Sequence, residues 1–67
     1  MTYNIQSDGG SVLGSVTVAE PSPPAIAGAV AAPLAIAEGV SVSVAPLGSA
    51  WVVSWLDQRV TLVPSDG

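Results

Sequence analysis

Val40-Ser41-Val42-Ser43-Val44-Ala45-Pro46-Leu47-Gly48-Ser49-Ala50-Trp51-Val52-Val53-Ser54-Trp55-Leu56 is the stretch that decides the fold class. Val40, Val42 and Val44 recur at every second position against Ser41, Ser43 and Ala45. That is the two-residue period of a strand with one buried face. Pro46-Leu47-Gly48-Ser49 reads as a turn. Ala50 to Leu56 is then apolar except for Ser54 and places Trp51, Val53 and Trp55 on one side, a pattern expected of a strand covered on both faces. Asp57-Gln58 is a two-residue connection to Arg59–Val63, where Val60 and Leu62 alternate with Arg59 and Thr61. So short a link implies a hairpin, although Asp-Gln lacks the glycine such turns favour. Pro64 closes the strand, and Ser65-Asp66-Gly67 is a polar tail.

Toward the N-terminus the same period recurs. Thr2–Gln6 reads as a first hairpin arm, and Ser7-Asp8-Gly9-Gly10 supplies turn residues that tolerate positive φ. Ser11 to Ala19 alternates Val12, Gly14, Val16 and Val18 with Ser11, Leu13, Ser15 and Thr17, with Gly14 marking a bulge or a close backbone approach. Glu20-Pro21-Ser22-Pro23-Pro24 cannot pair in a ladder and reads as a stiff linker.

Ala25 to Ala37 supports two readings. Period two places Ile26, Gly28, Val30, Ala32, Leu34 and Ile36 on one side and alanines on the other, with the chain broken at Pro33. Helical spacing places Ile26, Val30 and Leu34 on one stripe, with Ser22 as cap and Gly39 as terminator. Because proline inside a helix costs about 3 kcal/mol, extended segments are the preferred expectation, and a short helix before Pro33 stays open.

The expected fold is therefore all-β: a small sheet, sandwich or barrel of about four to six short strands. Residues 1–19 form an N-terminal hairpin or extended, proline-flanked arm, 20–24 a linker and 25–67 a β-rich body, within one small domain. Completion by oligomerisation or by a partner chain is expected. A chain of 67 residues with no cysteine and no histidine has neither disulfides nor the common thiolate and imidazole metal sites to supplement a small core.

Composition restricts function. The net charge is −4 and Lys plus Arg total one, so phosphate neutralisation has only Arg59 to use and nucleic-acid binding is disfavoured. Charged residues are 9% of the chain, too few to clothe a free monomer comfortably, so another molecule is expected to cover part of the surface. No basic, apolar leader opens the sequence, and the 13-residue apolar run Ala25–Ala37 is short of the ~20 residues of a spanning helix. A nucleophilic serine needs a base, and neither histidine nor lysine is present to serve. Enzymatic activity is not expected, and no cofactor is. Asp8-Gly9-Gly10-Ser11 lacks a lysine and precedes a strand, so it is a turn rather than a phosphate loop.

The carboxylates Asp8, Glu20, Glu38, Asp57 and Asp66 are scattered and read as surface groups, with a weak calcium site shared between subunits as the remaining possibility. Arg59 is expected to pair with Asp57 or with an acid on a partner. Trp51 and Trp55, with Val53 and Tyr3, read first as core or interface anchors and second as an aromatic platform for a sugar or peptide. Ile26, Val30 and Leu34 complete the set of contact candidates.

These observations point to a non-enzymatic structural subunit that binds other protein subunits and copies of itself. The expected setting is a virus or phage particle, where it decorates or cements the capsid surface. A carbohydrate- or peptide-binding module using Trp51 and Trp55, and a membrane-interacting peptide using Ala25–Ala37, are the rival readings.

Overall fold

The computed structural model describes residues 1–65 and contains five strands and one helix. The strands are β1 (Thr2–Ser7), β2 (Val12–Thr17), β3 (Val42–Leu47), β4 (Ala50–Trp55) and β5 (Gln58–Pro64), and α1 (Pro23–Ala31) lies between β2 and β3. They form one open sheet of order β2-β1-β5-β4-β3 in which every neighbouring pair is antiparallel. The all-β expectation holds for the sheet. β1 lies inside it, with β2 on one side and β5 on the other.

Side chains alternate across each strand, and one sheet face collects Tyr3, Ile5, Val16, Val53, Val60 and Leu62, all buried. Cross-strand pairs on this face are Tyr3 with Val16, Ile5 with Leu62, Leu62 with Trp51, and Val60 with Val53. The helix lies over it and inserts Ile26 and Val30, four residues apart and fully buried.

Ala25–Ala37, where the sequence favours extended segments, instead opens within this helix. The Ser22 hydroxyl accepts from the Ala25 amide at 3.3 Å, and prolines occupy the first two helical positions, where a missing N–H breaks no bond. Pro33 is tolerated because it lies beyond α1, two residues after Ala31, in a turn that continues the bonding: the Leu34 amide still donates to the Val30 carbonyl at 3.0 Å. The end is a Schellman arrangement, with Ile36 N–H bonded to Ala31 O (2.9 Å) and Ala35 N–H to Ala32 O (3.1 Å). Ala35 therefore carries the left-handed conformation, at φ 53°, and termination comes four residues before Gly39. Gly39 serves the next turn at φ 85°.

Two hairpin loops differ from the expected boundaries. Pro46 and Leu47 belong to β3, and the β3–β4 loop is Gly48-Ser49. β3 is an edge strand, the place in a sheet where a proline's missing donor is tolerated. The β4–β5 loop is Leu56-Asp57 rather than Asp57-Gln58, since Trp55 pairs with Gln58. Leu56 takes φ 49° there and is 80% exposed.

Left-handed backbone costs an L-residue about 1–2 kcal/mol, and glycine escapes most of this. Leu56→Gly and Ala35→Gly should each raise stability by about 1 kcal/mol and the melting temperature by about 4–8 °C. The two residues sit in different turns and both are exposed, so the two gains should add. Thermal melts followed by circular dichroism check this; a lower midpoint in either variant would show that the wild-type side chain contributes more than the strain removes.

Candidate functional site

The acidic groups do not converge: among the described residues no three carboxylates could hold a metal ion, and Asp66 lies outside them. No cavity is formed by the described residues. No helix among them is long and apolar enough to cross a membrane. The helix directs its large side chains, Ile26 and Val30, inward and leaves Pro23, Pro24 and Gly28 exposed.

Trp51 and Trp55 lie on the helix-covered face, half-buried against the core. The Trp51 indole N–H donates to the Tyr3 hydroxyl at 3.2 Å, and that hydroxyl donates to the Met1 sulfur at 3.5 Å. The indole's one donor is thus engaged inside the protein. Tyr3, Val53, Ile26 and Val30, named from the sequence as contact candidates, are buried, while Leu34 is half-buried beside them. Removing the acceptor in Tyr3→Phe should cost about 1 kcal/mol and change the tryptophan emission, measured by fluorescence-detected urea unfolding. An unchanged midpoint and spectrum would show that solvent replaces the tyrosine oxygen without loss.

β4 is covered on one face only. Its other side, Ala50, Val52 and Ser54, faces away from the helix as part of an open sheet surface. Asn4, Gln6, Ser43, Thr61 and the Thr2–Thr17 hydroxyl pair (Oγ1 to Oγ1 3.1 Å) share that surface. Arg59 stands at its margin. Its partner is Asp8, with Nε to Oδ1 3.2 Å, and not Asp57, because the β1–β5 pairing brings the β1–β2 turn beside Arg59. Both side chains are more than 60% exposed, so the pair contributes about 0.2–1 kcal/mol.

What the sequence reading did not foresee is which strands would be the edges. β2 and β3 each present an unpaired row of backbone donors and acceptors. Natural edges are usually blunted by charge, proline or bulges. No charged residue occurs from Gly9 to Ala19 or from Gly39 to Leu56, so neither edge has a charge on it. β3 has Pro46 and, at its end, Leu47, 63% exposed. β2 has one irregularity: Ile5 pairs with Gly14 and Gln6 with Val12, which leaves Leu13 as an extra residue. Val12 and Leu13 there are both exposed. The charged groups of the described chain sit elsewhere, Asp8 and Asp57 in turns, Glu20 and Glu38 in connections and Arg59 near the start of β5.

An open, uncharged β-edge can do one thing well chemically, which is to accept another strand. Comparison with family models, with curated proteins and with solved structures found nothing that matches this chain.

Proposed function

We propose that this chain is a non-enzymatic structural subunit that binds other protein subunits of a larger assembly. The observation that supports the reading is the pair of open, charge-free edges on so small a sheet. Backbone groups on β2 and β3 are satisfied by a partner's strand, and exposed Leu47, Val12 and Leu13 flank the strands that would be covered. The setting we propose is the surface of a virus or phage particle, where the subunit decorates or cements the shell. It contributes stability to the assembled form by binding that form and not its dissociated parts.

Both tryptophans are half-buried and the Trp51 indole donor is taken by Tyr3, so they offer a sugar or peptide less surface than an exposed platform would. The helix presents small residues outward rather than the large apolar ones an interfacial anchor uses. The assembly reading therefore takes precedence over both rivals.

The test separates particles from free protein of the native source on a density gradient and detects the chain in each fraction. Recovery with particles, and release when they are dissociated, is the expected result. Recovery wholly in the free-protein fractions would overturn the proposal.

A further inference from the structure

The two edges differ in what they can accept. On β2 the direction of the free backbone groups follows from the last rung of its ladder with β1. The Val18 amide donates to the Met1 carbonyl at 2.8 Å and the Met1 amine donates to the Val18 carbonyl. Antiparallel pairs alternate between bonded and non-bonded rungs, so Tyr3–Val16 and Ile5–Gly14 are bonded while Thr2–Thr17 and Asn4–Ser15 are not. The backbone N–H and C=O groups of Ser15 and Thr17 therefore point away from the sheet. Both residues are exposed.

The sequence around these groups is close to self-complementary about Val16. Ser15 and Thr17 flank it with hydroxyls, Gly14 and Val18 follow with an absent and a branched side chain, and Leu13 and Ala19 complete the run with apolar groups. Resting on the assembly reading above, we infer that two copies of this chain pair through β2 about a two-fold axis at Val16. This makes an antiparallel dimer in which one ten-stranded sheet runs through both protomers.

In that register Ser15 and Thr17 of one protomer exchange backbone hydrogen bonds with Thr17 and Ser15 of the other, four bonds in all from groups that now face solvent. Val16 meets its own mate on the helix-side face. Val18 comes opposite Gly14, where an added Cβ would meet nothing within 4 Å. On the other face Ser15 and Thr17 hydroxyls lie opposite one another, a cross-strand pairing that favours association. Charge does not oppose the contact: Gly9 to Ala19 contains none, although each protomer carries −4 overall. The isologous contact closes on itself, so pairing stops at two copies. β3, whose proline removes a donor, is left for a different partner.

The experiment is sedimentation velocity of the full chain from low micromolar to millimolar concentration. It is repeated for S15K/T17K and, with mild oxidation, for V16C. Wild type should shift with concentration from the 6.6 kDa monomer to twice that mass. In S15K/T17K each lysine would face a lysine of the mate, so association should weaken at least tenfold while the circular dichroism of the monomer is unchanged, both side chains being exposed. In V16C the two sulfurs meet on the axis at a non-bonded rung, where the Cα separation of about 4.5 Å suits a disulfide. The variant should cross-link, whereas S43C on the β3 edge should not.

A wild-type chain that stays monomeric to millimolar concentration overturns the inference, and so does a dimer that S15K/T17K leaves intact. Should V16C fail to fold, the lysine variant still decides. A monomer that nevertheless sediments with particles would remove the dimer and leave the proposed function standing; a dimer found only among free proteins would do the reverse.

Discussion

Ile26→Asp is expected to abolish the cooperative unfolding transition. Ile26 is fully buried between α1 and the sheet. The only basic side chain, Arg59, is exposed and directed to the opposite face in its pair with Asp8, so no side chain on the helix side can neutralise a carboxylate. The variant must either bury an unpaired charge or release the helix. Release is no refuge, because nine residues are fewer than the ~12–15 a marginal isolated helix needs in water. Losing the helix would expose Tyr3, Ile5, Val53 and Leu62 together. Far-UV circular dichroism against urea is the measurement. Gly28→Asp is its control, since Gly28 is exposed and a Cβ there meets nothing within 4 Å. A cooperative transition in Ile26→Asp near the wild-type midpoint would mean that the helix is not needed to close the core.

Leu62→Ala has the next largest effect expected. Leu62 lies fully buried on β5, the middle strand of five, between Ile5 on β1 and Trp51 on β4. Truncating a buried leucine costs about 2–5 kcal/mol, whereas a chain of this length has about 3–10 kcal/mol in total at typical stability per residue. The urea midpoint should fall by half or more. The slope against denaturant should hold if the native state keeps its surface. Leu62→Met, close in volume, should lose less than about 1.5 kcal/mol. A midpoint shift in the alanine variant no larger than that of the methionine variant would contradict the central packing of this residue.

The strands were legible because their alternation is determined by burial on one face. Val42 and Val44, Val60 and Leu62, and Tyr3 and Ile5 all face the core side their period implied. Boundaries were less legible where an unusual residue held a turn position. Leu56 and Ala35 both adopt positive φ, a conformation normally signalled by glycine, so the sequence points to a hairpin loop one residue late and to Gly39, four residues beyond Ala35, as the terminator of a helix that in fact ends before Pro33. Pro46 read as a turn because its tolerance depends on being at a sheet edge, and edge position is a property of topology. The same holds for the Arg59 partner: Asp8 is 51 residues away and reaches it through the β1–β5 pairing. Trp51 and Trp55 were placed on one strand face, but only packing showed which face and that the Trp51 donor is used by Tyr3. The free β2 edge could not be read locally at all, since its sequence is that of an ordinary half-buried strand.

The antiparallel contact between β1 and β5 places the two ends of the described chain together. Thr2 and Ser65 share a backbone hydrogen bond of 2.9 Å, and Tyr3 stands opposite Pro64. Under tension applied at these two ends, the central strand pair opens one rung at a time from the loaded side, as a zipper does, instead of resisting with all its bonds at once. A load carried along the strands from β2 to β3 crosses the same β1–β5 ladder in shear, so its hydrogen bonds share the force. The fold is thus mechanically soft when pulled by its ends and firmer when held by its edges.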